Sequence, residues 1–209
     1  MMFNFLKPSL NRWIRPKYLN SPWLRHCLCS RTSSSYPVYR IRKATPNDVP
    51  VILKFLTDLA VFEKQPVSSL RVSEKDLLRD GFGDRQYFHC LIPEYVTTDK
   101  VIPIGFTIYY FTYSTWKGRR VLHVDDLYVE PEYRGKGVAT LFKNEICKVA
   151  AANDCHRIQW LVFDWNEEAF AMYEKWGSKR VPEYVVCEMP RETLLKHASN
   201  DDLDDDTNV

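Results

Sequence analysis

Net charge is almost missing from this 209-residue chain, in which 29 Lys and Arg against 27 Asp and Glu leave +2 at neutral pH. Such asymmetry as exists sits at the two ends. Residues 1–38 hold six basic residues and no acidic one, and the closing NDDLDDDTNV holds five aspartates and no basic one. Taking six from 29 and five from 27 leaves 23 basic against 22 acidic residues. That balance gives no field to steer the chain toward nucleic acid, so no nucleic-acid partner is expected. Paired cysteine motifs are also missing. The six cysteines, Cys27, Cys29, Cys90, Cys147, Cys155 and Cys187, include no C-x-x-C and no Cys/His spacing that suits zinc. Free thiols in a reducing compartment are expected, with no metal. A long apolar run is absent too. The longest uncharged stretch, VIPIGFTIYYFTYSTW, has 16 residues with threonines, tyrosines and a serine among them, too short and polar to span a bilayer. No membrane association is expected, and no internal repeat is visible.

What remains is the composition of a compact domain, 45% hydrophobic and 14% aromatic, long enough for one sizeable core. Its limits are expected at residues 39–197. Residues 1–38, basic and acid-free with scattered Phe, Leu and Trp, read either as a mitochondrial transit peptide or as a disordered arm ahead of the domain. Residues 198–209 read as an acidic disordered tail.

Within the domain, VYRIRKAT alternates as a strand, and TPNDVPVILKFLTDLAVFEK starts a helix with Thr45 as cap and Pro46 in the first turn. Val49, Ile52, Leu53, Leu56, Leu59 and Ala60 recur at helical spacing. SEKDLLRDGFG signals a second helix, capped by Ser73 and ended by Gly81. Three strand candidates follow, FHCLI, IGFTIYYFTYS and VLHVDDLYV, the last two joined by the TWKGRR turn. The pattern then becomes a helix at 137–153, a strand in RIQWLVF, a helix opened by Asn166 and a last strand near EYVVCEM. An antiparallel meander leading into β-α-β-α predicts a mixed α/β sandwich with a central parallel portion.

Three stretches carry candidate chemistry. YVEPEYRGKGVATLFKNEI places Gly135 and Gly137 between a strand and a helix. Such a turn points backbone N–H groups and the positive helix end at one spot and suits a phosphate, although it also serves as plain loop geometry. It is neither a Walker loop nor the dinucleotide fingerprint, which needs a third glycine. In HVDDLYV, a period of two puts Asp125 on a face with His123, Leu127 and Val129, and Asp126 on a face with Val124 and Tyr128. Burying an unpaired carboxylate costs several kcal/mol, so at least one needs a cation, a donor or a wet cleft, unless a bulge re-aims it. The alternative is an ordinary salt bridge. In FDWNEEAFAMYEKWG, Asn166 caps a helix with Glu167 and Glu168 in its first turn, and Ala169, Phe170, Met172, Tyr173 and Trp176 form its apolar face. Taken alone, Tyr173 reads as a core tyrosine.

Together, the strand, the YRGKGVA turn, the helix, the next strand and DWNEEAFAMYEKWG resemble the acetyl-CoA-binding core of the GNAT superfamily of N-acetyltransferases. Its turn motif is Arg/Gln-x-x-Gly-x-Gly/Ala, here Arg134, Gly137 and Ala139. LAVFEK, EKDLLRDGFGD, YFHCLI, IYYFTYSTWKGR, DLYVEPEYRGKG and FDWNEEAFAMY are similar to the spermidine/spermine (diamine) acetyltransferase family across residues 39–197. YFTYSTWKGR is most like its thialysine-preferring branch.

The resemblance implies a GNAT-type mixed, mostly antiparallel sheet flanked by helices, acetyl-CoA as co-substrate without a metal, a small primary amine as acceptor, and a homodimer. Arg134, Gly135, Lys136, Gly137, Val138, Ala139 and Thr140 are implied to cradle the pyrophosphate. Leu127, Tyr128 and Val129 are implied to pair with the pantetheine amides, with Asn166, Glu167, Glu168 and Ala169 along the cofactor. Asp125 and Asp126 are implied to draw in the ammonium and pass on its proton, with Glu63 binding the distal charge beside Phe62. Trp116 is implied as a wall, and Gln159, Trp160 and Leu161 lie on the acceptor side. Tyr173 corresponds to the acid that protonates the departing thiolate. Asp125 stands where the family usually has Glu, Phe62 where it often has Tyr, and Ser114 where the polyamine-specific branch has an acidic residue. The family favours the cytosol, whereas the basic arm favours mitochondria. Acetylation of protein lysines or N-termini, and a non-catalytic acyl-CoA-binding module, are the rival readings.

Overall fold

The computed structural model describes residues 38–199. The arm's transit-peptide reading and nearly all of the acidic tail lie outside the described residues. The elements run β1 (Val38–Lys43), α1 (Val49–Phe62), α2 (Glu74–Phe82), β2 (His89–Val96), β3 (Val101–Pro103), β4 (Gly105–Ser114), β5 (Arg119–Val129), α3 (Val138–Ala152), β6 (Arg157–Trp160), α4 (Glu167–Lys175) and α5 (Arg191–Ser199). The sheet has the order β1-β2-β4-β5-β6, with β3 added to β2. Every pairing is antiparallel except β5 with β6.

Helices cover both faces. On one, Val49, Ile52, Phe55 and Leu59 of α1 pack with Leu77 of α2 against Ile92, Phe106, Ile108 and Tyr128. On the other, Val138, Phe142, Ile146 and Ala150 of α3 pack against Leu91, Tyr109, Leu122, Val124 and Val129. The i, i+3/i+4 spacing within each set is what gives each helix one apolar stripe to bury.

A short 3-10 turn, Pro46–Asp48, precedes α1. There the Asp48 carboxylate accepts from the Thr45 N–H and hydroxyl at 2.7 and 2.8 Å and from both Arg42 Nη groups at 2.7 Å. The Arg42 hydrogen bonds hold its carboxyl down near 2. Ser73 caps α2 as expected, exchanging bonds with Asp76.

Two expectations fail. Gly81 does not end α2, which continues to Phe82 with Gly83 at its C-terminal cap. A Cβ at Gly81 would sit 2.6 Å from the Phe88 ring, so this glycine serves close packing rather than termination. EYVVCEM forms no strand. Tyr184, Val185 and Val186 are 81%, 83% and 69% exposed, because strand propensity forms a strand only when a neighbouring edge takes up its hydrogen bonds. With this segment off the sheet, the parallel pair stands at the sheet edge rather than at its centre.

Candidate active site

Two irregularities in β5 build the site. The first is a bulge. Ile108 pairs with Asp126 whereas Tyr109 pairs with Val124, which leaves Asp125 as the extra residue. A bulge reverses the alternation of everything beyond it. Tyr128 therefore belongs to the α1 face, while Leu127 and Val129 join Val124 on the α3 face. The face assignment from simple alternation is thereby corrected, since Asp126 lies on the same side as His123. Asp125 is close as well, with its Oδ1 4.0 Å from His123 Nε2. The second irregularity is the end of the parallel ladder, whose last pair is Val124 with Trp160. From Asp125 onward β5 pairs with no strand but β4, so one backbone edge at 127–129 faces an opening.

Charge collects at that opening. Burial, then Asp125, then Glu63 push the Asp126 carboxyl up to about 7. Burial also raises Glu63, which sits at the C-terminal end of α1. No carboxylate-bound cation relieves Asp126 among the described residues, so the charges of Asp125 and Glu63 that it feels would favour a cation beside it. Tyr173 on α4 stands between Trp160 and Trp176, at centroid distances of 4.8 and 5.3 Å. Burial and, after it, the charge of Glu63 raise its phenol. The same tyrosine lines a cavity of about 220 Å³ between α3 and α4, with Leu127, Ile146, Ile158, Trp160 and Trp176. It thus lines an apolar cavity and also feels the charge of Glu63.

The turn before α3 supplies the remaining part. Gly135 and Gly137 have φ of +70° and +84°, a region that favours glycine. Gly137 is the N-cap of α3 and offers no side-chain cap. Among the described residues, no acceptor takes the N–H groups of Gly135, Lys136, Gly137, Val138 and Ala139, whereas the N–H of Thr140 bonds to the Gly137 carbonyl at 3.0 Å. Arg134 is braced beside them. Its Nε donates to the Val129 carbonyl at 2.9 Å, and its guanidinium lies 4.7 Å over Phe62 and 5.6 Å over Tyr128. A helix N-terminus with five open donors and an adjacent arginine fits a pyrophosphate. The open β5 edge and the narrow apolar cavity fit the amide-bearing arm of coenzyme A.

Asn166 caps α4, accepting from the Ala169 N–H at 3.2 Å. Glu167 bonds Arg180 at 3.1 Å, and Glu168 is exposed. Gln159 is the register partner of His123, and Leu161, beyond the end of β6, is 67% exposed. Trp116 and Ser114 are not brought to the carboxylates. Trp116 is 95% exposed in the β4–β5 turn, and Ser114 pairs with Arg119, six residues from Asp125 or roughly 20 Å along the strand. An aromatic group that sequence reasoning missed adjoins Phe62. Trp165 lies 6.3 Å from Phe62 and 5.8 Å from Phe163, and Lys64 caps it at 4.3 Å. The FDW run before Asn166 was its only local sign.

Residues 54–177 match the acetyltransferase (GNAT) family. The chain belongs to the GNAT family. Among curated relatives it is 36% identical over 148 residues to thialysine N-epsilon-acetyltransferase of Mus musculus, covering 69% of this chain and 86% of that protein. It is 35% identical over 151 residues to spermidine/spermine N(1)-acetyltransferase-like protein 1 of Homo sapiens, covering 71% of this chain and 21% of that protein. Among solved structures, a possible acetyltransferase from Clostridium difficile 630 superposes with a TM-score of 0.59 at 25% identity, covering 73% of this chain and 97% of that one. An integron cassette protein from V. cholerae gives 0.62 at 21% identity, covering 77% and 98%, and supports the fold. This GNAT chain is an N-acetyltransferase.

Proposed function

We propose that residues 39–197 form an acetyl-CoA-dependent N-acetyltransferase domain for small primary amines, with thialysine-like amino acids ahead of spermidine and spermine. The carrying observation is Tyr173, which lines the apolar cavity and feels the charge of Glu63 beside Asp126 and Asp125. Likeness to thialysine N-epsilon-acetyltransferase supports the acceptor order.

Acetyl-CoA supplies the acetyl group as a thioester. The amine arrives as ammonium, with a pKa of about 10 as for lysine, and Asp125, Asp126 and Glu63 attract it. A carboxylate or its water accepts one proton, and the neutral nitrogen attacks the thioester carbonyl. The C–N bond forms, the C–S bond breaks, the Tyr173 hydroxyl gives its proton to the leaving sulfur, and the surplus proton on the acylated nitrogen leaves through water to restore that hydroxyl. Burial holds that proton on Tyr173 until negative charge develops. The departure from Glu to Asp at 125 shortens the side chain by one methylene, and a water then bridges to the amine.

Tyr173→Phe tests the assignment. It should lower kcat by about 10²–10⁴ while leaving acetyl-CoA affinity within about threefold, because the lost proton is needed only in the transition state. Equal turnover of the two proteins would remove Tyr173 from the reaction. The proposal includes a homodimer whose partner approaches the acceptor side, and a gel-filtration profile showing only monomer at micromolar concentration would remove that part. It also places the protein in the cytosol, and mitochondrial import of a tagged full-length chain would contradict this.

A further inference from the structure

His123 sits at the centre of a row that crosses three strands. Its register partner on β4 is Tyr110, stacked at 4.9 Å and 25°. Its partner on β6 is Gln159, whose Nε2 lies 3.4 Å from His123 Nδ1. The imidazole is 12% exposed, and its Nε2 faces Asp125 Oδ1 at 4.0 Å. A further link fixes the direction of the row. Arg157 Nε donates to Gln159 Oε1 at 3.1 Å. Arginine can only donate, so the Gln159 carbonyl must face it and the amide NH₂ must face His123. His123 Nδ1 is then the acceptor, and the ring proton sits on Nε2, aimed at Asp125.

We infer that His123 is a positioning residue for the acceptor amine, held as the Nε2–H tautomer by Arg157 and Gln159 so that it orients the Asp125 carboxylate. The inference rests on Asp125 being an amine-binding group. The 4.0 Å separation is longer than a hydrogen bond, so the Nε2–H dipole acts on the Asp125 carboxylate through space and favours the side-chain orientation that faces it. The titratable and charged groups near His123 are Asp125 beside it on β5, Asp126 on the same side of the sheet, Tyr110 on β4 and, through Gln159, Arg157 on β6. Asp125 is the anion that Nε2 faces. The bulge is what makes the pair available, since it sets Asp125 outside the β4–β5 ladder, where its side chain is 54% exposed.

The experiment measures KM for thialysine and for acetyl-CoA at about pH 8 in the wild type, His123→Gln, His123→Phe and Asp125→Asn. His123→Phe keeps a ring against Tyr110 but loses the donor, and thialysine KM should rise about fivefold, below the full scale of a hydrogen bond to a charged group because the contact is longer than one, with acetyl-CoA KM unmoved. His123→Gln keeps an N–H donor, so its thialysine KM should stay within about twofold of wild type. A thialysine KM unchanged in His123→Phe, while Asp125→Asn raises that KM, overturns the role of His123 alone. No effect of Asp125→Asn on thialysine KM overturns both this inference and the amine-binding role of Asp125.

Discussion

Asp126→Asn isolates the energetic cost of the proposed amine site. The carboxyl moves from 3.8 to about 7, mainly by burial and then by Asp125 and Glu63. That is a shift of about 3 units, and at 1.36 kcal/mol per unit the charged form costs the native state ~4 kcal/mol. The direction sets the pH window. A raised carboxyl binds its proton more tightly in the folded state, so its contribution to stability is complete below about 4 and is lost as pH rises through about 7. Asparagine has nearly the same shape and cannot titrate, so the variant should avoid that loss. Urea unfolding at pH 4 should give nearly equal stabilities for the two proteins. At pH 8 the variant should be more stable by up to ~4 kcal/mol, an upper limit because water entering the cleft reduces the penalty. Loss of amine affinity should accompany the gain, the usual exchange at a strained binding site. A stability difference independent of pH, or a less stable variant at pH 8, would refute the argument that burial and the charges of Asp125 and Glu63 penalise the Asp126 carboxylate.

Glu94 makes the opposite case. Its side chain is 4% exposed and accepts from Arg40 and Arg42 at 2.6 Å. Burial opposes the charge, but the Arg42 and Arg40 hydrogen bonds outweigh it and lower its carboxyl. Glu94→Ala should cost about 3 kcal/mol at pH 7, the low end for breaking a buried pair because Arg40 is half-exposed. The cost should shrink below pH 4 as the lowered group protonates in both states, and urea unfolding that shows a constant cost would contradict it. Gly137→Ala meets no atom within 4 Å of the added methyl, so only its φ of +84° is strained. It should lose about 1–2 kcal/mol of stability and weaken acetyl-CoA binding by calorimetry, and unchanged binding would remove the turn from the cofactor site.

Much of the fold was legible because its signals are local. Thr45, Pro46 and Ser73 mark helix starts, Gly137 marks the entry to α3, and Asn166 caps α4, each through bonds or dihedrals within a few residues. What the sequence concealed depends on partners distant along the chain. The bulge at Asp125 comes from the register of β4 against β5, and nothing in HVDDLYV alone announces it. Gly81 carried a cap signal that was overridden by Phe88, seven residues further on. EYVVCEM has the composition of a strand but no neighbouring edge, and α5 after it was not foreseen. At the site, the proximity of Glu63 to Asp126 and Tyr173 is an effect of packing α1 and α4 at one end of the sheet, and was visible beforehand only through the family resemblance. The His123 row needed three strands in register before its direction could be read.

The most direct test of the account is free-thiol release from acetyl-CoA by the purified full chain, run in parallel with thialysine, lysine, spermidine, spermine and a lysine peptide. The account predicts fastest release with thialysine, slower release with spermidine and spermine, and one acetylated amine per thiol. Silence with every amine despite acetyl-CoA binding, or turnover of the peptide ahead of all free amines, would contradict it.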